Sequence, residues 1–241
     1  MTTVFAQSEP VIPDFGRGSA CERDDDALFC WSWVKDNWAD TLQPALLQHI
    51  VLTLIAVGIG SAIAFALALA AHRRGWLATP IVVVTGFLYT IPSLALFQLL
   101  VPFTGLTRTT AEIALVSYTL LILFRNVLAG LSGVPAEVRD AARGMGMTER
   151  QLLWKVELPL ALPAIFAGLR IATVTVISLA TIAVFVVDEG LGDPIYTALQ
   201  QTFSTELLAA GGLCVALALV ADALLVLIQR AISPWSRTVR R

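Results

Sequence analysis

Charge is what this sequence has least of. Asp, Glu, Lys and Arg make up 14% of its 241 residues, against 57% apolar side chains, too little polar surface to cover a water-soluble globule of that size. The chain must therefore face lipid. Lysine occurs only as Lys35 and Lys155, which follow Val34 and Trp154. A phosphate-cradling Walker loop needs a glycine-rich turn ending in Gly-Lys, so ATP hydrolysis by this chain is excluded. The two histidines, His49 and His72, are too isolated for a metal site, and no Ser-His-Asp or paired-carboxylate arrangement occurs. No catalytic residue, no metal ion and no bound cofactor are expected. The apolar runs lack the alternation of a membrane β-barrel. The first 40 residues lack the charged start and apolar run of a cleavable signal peptide, so the first apolar run is expected to act as an uncleaved anchor. Of three cysteines, Cys214 lies in an apolar run and reads as a small core residue. For Cys21 and Cys30, near the N-terminus, two readings stand: a disulfide closing a small loop, or two free thiols.

What is present is Leu, Ala, Val and Ile in long blocks. Residues 46–71, 77–103, 109–131, 162–187 and 207–228 each approach or exceed the roughly 20 residues an α-helix needs to cross hydrocarbon. The predicted fold class is an all-α integral membrane protein with five transmembrane helices. If the N-terminus is outside, the segments 72–76, 132–161 and 229–241 are cytoplasmic. They hold Arg73, Arg74, Arg139, Arg143, Arg150, Lys155, Arg230, Arg237, Arg240 and Arg241, ten of the sixteen basic residues, against Arg17, Arg23, Lys35 and Arg108 on the other side. The positive-inside rule selects this topology, in a bacterial plasma membrane, with the N-terminus outside and the C-terminus cytoplasmic. Trp38, Trp76 and Trp235 fall at the expected headgroup levels.

The chain divides into a polar tail over 1–26, an amphipathic interfacial helix over 27–44 (Leu28, Trp31, Val34 and Trp38 at helical spacing), a five-helix membrane domain over 45–232, and a basic tail over 233–241. Pro80 and Pro92 interrupt the second span, and a mid-span proline frees a carbonyl and kinks the helix. Pro92 and Ser93 either border a solute pathway or simply set packing geometry. Arg125 is near enough to one surface to snorkel. Arg170 and Asp222 lie at similar depth in the fourth and fifth spans and are predicted to pair, as a structural clamp in preference to a proton relay.

The connection 132–161 is long, polar and differently built. Pro135 suits the first turn of a helix that Gly144 and Gly146 stop, and Thr148 with Gln151 makes a capping box that starts a second helix, predicted to end at Pro159. A short helix-turn-helix outside the bilayer follows.

Within it, Asp140-Ala141-Ala142, three residues, Gly146, nine residues, Val156, one residue and Leu158-Pro159 resemble the EAA loop of ABC-importer permeases, with Asp and Val in place of Glu and Ile. Glu137 opens the same stretch. The resemblance implies the ABC importer permease fold, in which this loop forms coupling helices that insert into a separate ATP-binding subunit. Thr90-Ile91-Pro92-Ser93-Leu94-Ala95-Leu96, Phe124-Arg125-Asn126 and Leu158-Pro159-Leu160-Ala161-Leu162-Pro163 are similar to the branch that imports osmoprotectants: glycine betaine, choline, carnitine or proline betaine. It departs at Asp188-Glu189-Gly190-Leu191-Gly192, where the branch is mostly uncharged. These carboxylates either favour cationic solutes or are solvated loop charges, the simpler reading.

By the resemblance, the partners are a dimer of ATPase subunits carrying ATP and Mg, a second permease copy or paralogue, an extracytoplasmic binding protein and lipid, with no nucleic acid. Another small solute, such as an amino acid, is the alternative within the class. A proton-coupled carrier using Arg170 and Asp222 is the alternative outside it.

Overall fold

The computed structural model describes residues 29–234, so the tail 1–26, the start of the segment 27–44, Cys21 and the basic residues beyond 234 lie outside the described residues. Among the described residues every regular element is helical. Helix α1 is Trp31–Asp36, α2 Gln43–Arg73, α3 Ala78–Thr90, α4 Ser93–Thr104, α5 Arg108–Ser132, α6 Ala136–Gly144, α7 Glu149–Leu152, α8 Leu158–Ala180, α9 Gly192–Gln201 and α10 Ser204–Ile232. Among the described residues, four continuous helices are long and apolar enough to cross a membrane, and a fifth crossing exists if α3 and α4 count as one bent span.

The centre is made by α2, α5 and α8, with α3 and α4 against α5, and α10 against α8 and α9. Lipid tails are as apolar as leucine, so these helices gain little from hiding apolar surface from one another and must fit closely instead. Small residues supply the fit. Ala56, Gly60, Ala64 and Ala68, spaced four apart, are buried along one face of α2. In α8, Gly168 lies so close to Asn126 of α5 that an added Cβ would overlap the Asn126 side chain. Gly168→Val is expected to cost about 1–3 kcal/mol. Gly58→Ala, at a position with nothing within 4 Å, should be neutral, and thermal unfolding in detergent compares the two.

Proline chemistry explains most departures from the sequence expectation. The second span is not a kinked helix. Pro92 lacks an N–H and pushes Ile91 into an extended conformation (φ −66°, ψ 128°), so that α3 and α4 meet at 98°. The freed backbone finds partners: the Tyr118 hydroxyl donates to the Ile91 carbonyl, and Thr90 Oγ1 to the Phe87 carbonyl at 2.7 Å.

Pro159 was expected to end a helix and does not. A π-turn, Leu153–Glu157, joins α7 to α8, and one helix runs from Glu149 to Ala180. A proline ring clashes with the carbonyl four residues back, and the widened turn ahead of Pro159 relieves that clash. Pro44 has the same arrangement: the π-turn Trp38–Leu42 precedes it and leads straight into α2. The first membrane helix therefore begins at Trp38, and the interfacial helix expected over 27–44 is reduced to α1. Trp33 of α1 packs edge-on against Phe203 with centroids 5.2 Å apart, so α1 caps the bundle. The fourth span stops at Ala180, short of 187, in a 3-10 turn at Ile182–Phe185. Helix α9, which the sequence reading missed, then covers that end of the bundle.

Candidate functional site

The hairpin 132–161 is built by local rules. Pro135 precedes the first turn of α6, with Glu137 exposed in that turn. At the other end the Gly146 N–H donates to the Arg143 carbonyl (2.9 Å) and the Met147 N–H to the Ala142 carbonyl (3.2 Å), a Schellman closure. Gly146 occupies the left-handed region that this closure requires, with φ +80°. The chain reverses there, and Thr148 opens the second arm. Its N–H donates to Gln151 Oε1 (2.9 Å), while its Oγ1 accepts the Gln151 N–H (3.3 Å). Arg143 spans the turn, its Nε donating to Glu149 Oε1 (3.0 Å) and its Nη1 to Asp140 Oδ1 (3.4 Å). The Glu149 hydrogen bond holds the Arg143 guanidinium above its ordinary pKa. Both partners are exposed, so the pair steadies the turn without contributing much stability.

The EAA-like residues do not all face one way. Ala142 is buried against the second arm, at 2% exposure, whereas Ala141 and Asp140 are exposed. Val156, Leu158 and Pro159 are half-buried on the shaft leading into α8, away from the turn. The outer face carries Val138 (38% exposed) and Ala141 on α6 and Met145 (71% exposed) just past its end, spaced three and four apart. That apolar stripe is the kind of surface a protein partner covers. Its spacing is readable in the sequence.

Within the spans, Arg170 of α8 holds Asp222 of α10 bidentately, Nε to Oδ1 at 2.6 Å and Nη2 to Oδ2 at 2.8 Å. Fork-to-carboxylate geometry fixes both helices in depth and rotation. Arg125 is exposed. Pro92 lies at the α3–α4 break and Ser93 opens α4, near Tyr118.

At the end of the bundle away from the hairpin, Asp188 is exposed, as a solvated loop charge would be, whereas Glu189 and Asp193 are partly buried. Glu189 is 27% exposed and 3.7 Å from Arg108, which also lies 3.9 Å from Glu112. Burial, and then the neighbouring Asp188 charge, push the Asp193 carboxyl above its ordinary pKa. His49, isolated in sequence, fastens this loop. Its Nδ1 accepts the Leu191 N–H (3.2 Å), so its Nε2 carries the proton donated to the Ile177 carbonyl (2.9 Å). Gln48 Oε1 accepts the Gly190 N–H at 3.0 Å. These are contacts between residues more than 120 positions apart, which no local pattern announces. Among the described residues no group of three His, Cys, Asp or Glu side chains could hold a metal ion.

Comparison with known proteins adds a family model, "Binding-protein-dependent transport system inner membrane component", which matches residues 56–238. The choline transport system permease protein OpuBB of Bacillus subtilis (strain 168) is 35% identical over 188 residues, covering 78% of this chain and 86% of the relative. The osmoprotectant import permease protein OsmW of Salmonella typhimurium is 36% identical over 207 residues, covering 84% and 96%. Among solved structures, a chain of the MetNI methionine ABC transporter in an inward-facing conformation superposes with a TM-score of 0.67 at 20% identity, covering 86% of this chain and 99% of that one. At that identity the likeness concerns the fold alone.

Proposed function

The chain belongs to the family of binding-protein-dependent transport system inner membrane components, and from that premise we propose that it is the permease of an ATP-driven importer for quaternary-amine osmoprotectants. It forms half of a translocation pore with a second copy or a paralogue. The hairpin lies in the cytoplasm, with the N-terminus outside. A separate ATPase dimer, carrying ATP and Mg, receives the hairpin, and a binding protein delivers solute to the opposite face.

The observation that carries the coupling role is the hairpin itself: an EAA-like register closed by a left-handed glycine, with the apolar stripe of Val138, Ala141 and Met145 turned outward. The relatives named for choline and osmoprotectant transport support the solute class. Arg170 and Asp222 suit a clamp better than a proton relay, because both carboxylate oxygens are engaged.

The solute is tested by uptake of labelled choline, glycine betaine, carnitine and proline betaine into vesicles holding the assembled complex, with methionine as comparison. Saturable uptake of at least one quaternary amine, with methionine excluded, is expected. Uptake of methionine alone would reassign the solute class.

A further inference from the structure

Three parts of the chain meet on one carboxylate where the hairpin joins the bundle. Glu157 ends the π-turn between α7 and α8 and is 4% exposed. Its Oε2 lies 3.0 Å from Nε2 of His72, in the last turn of α2, and its Oε1 3.9 Å from Nη1 of Arg139 on α6. A charge this deeply covered is tolerated only while its partners remain in place. The position itself is one that the EAA-like pattern leaves unspecified, between Val156 and Leu158.

The surroundings give this contact its importance. A cleft of about 670 Å³ opens between the hairpin and the end of α2, lined by charged side chains, among them Arg73, Arg139, Glu149 and Glu157, together with His72 and Leu153. Across that cleft α6 faces α2 through charged side chains, while Leu153 of the second arm packs in one apolar cluster with Ala68 and Ala71 of α2. The Arg143–Glu149 pair ties α6 to the helix that continues into α8, but it is exposed and does not reach α2. The line Arg139, Glu157, His72 does cross from α6 to α2, and Glu157 is also rigidly continuous with α8.

We propose that Glu157 is a positioning residue that makes the hairpin move as one body with α2 and α8, so that displacement of α6 by the ATPase reaches the pore. This rests on the hairpin being the ATPase-docking element. Without the charge, α6 loses its tie to the buried end of the π-turn and through it to α2, so less of its displacement reaches the spans and more ATP is hydrolysed for each solute carried.

The test uses the complete importer in vesicles, measuring uptake and ATP hydrolysis per assembled complex. Glu157→Gln keeps a hydrogen-bonding group for His72 and removes the charge facing Arg139. It should leave assembly intact and lower the solute carried per ATP by about tenfold, the scale of a typical coupling free energy. Arg139→Met should do the same, Arg139→Lys should largely restore the ratio, and the double variant Glu157→Gln with Arg139→Met should be no worse than either single one. An unchanged ratio in both Glu157→Gln and Arg139→Met overturns the proposal, including the case where only the amount of assembled complex falls. Gly146→Val in the same vesicles separates the two levels. If it abolishes coupled uptake while the Glu157 and Arg139 variants keep their ratio, only the role of Glu157 fails; if it too transports normally, the docking role of the hairpin fails.

Discussion

Gly146→Val should abolish coupled uptake while the protein still inserts and accumulates in the membrane. The reason is conformational and not steric. An added Cβ at this position meets nothing within 4 Å, but the residue sits at φ +80°, which a β-branched side chain adopts only with strain. Escape from that strain opens the Schellman closure and swings α6 away from the second arm, so the outward stripe loses its aim. Graded substitutions check the mechanism. Gly146→Asn, which tolerates the left-handed region, should keep most activity; Gly146→Ala should lose part of it, at a cost of about 1–2 kcal/mol. Ala141→Glu approaches the same surface from outside. Ala141 is exposed, so the substitution should leave the permease folded and eliminate only the stimulation of ATP hydrolysis, because it puts an unpaired charge into the apolar stripe. Normal stimulation in both Ala141→Glu and Gly146→Val would count against the docking surface.

The second large effect is expected at the intramembrane pair. Arg170→Met leaves Asp222 facing lipid or a neighbouring subunit with no counter-charge, and Asp222→Leu does the reverse. Each single variant should lower the melting temperature in detergent by on the order of 5 °C or more. The double variant, which removes both charges together, should recover much of that loss, because the bidentate pair acts as a unit. It should also retain ATP-driven uptake if the pair is a clamp. A double variant that is as stable as the unsubstituted protein yet inactive would instead place the pair in the transport step.

The sequence made local features legible and left distant ones hidden. The capping box of Thr148 and Gln151, the reversal at Gly146 and the apolar lengths of the long helices all depend on neighbours within a few positions, and each is present in the structure. Prolines misled because their effect depends on what the surrounding backbone does. Pro92 breaks a span outright where Tyr118 can satisfy the freed carbonyl, whereas Pro44 and Pro159 are each absorbed by a π-turn. Nothing local marks Glu157 within the polar connection; its importance comes from His72, 85 positions earlier. His49 likewise acquires its role only when the loop at Leu191 folds back over it. Small-residue spacing on α2 was visible, but which neighbour it admits, Thr119 over Gly60, was not.

The central claim is that ATP hydrolysed by another polypeptide drives solute through this chain. It is tested most directly by uptake of labelled choline and glycine betaine into vesicles containing the whole complex, with ATP supplied on the hairpin side, and again with a proton gradient and no ATP. The account predicts uptake with ATP, none with the gradient alone, and none when the ATPase carries an inactivating substitution in its Walker lysine. Gradient-driven uptake that persists with the inactive ATPase would contradict it.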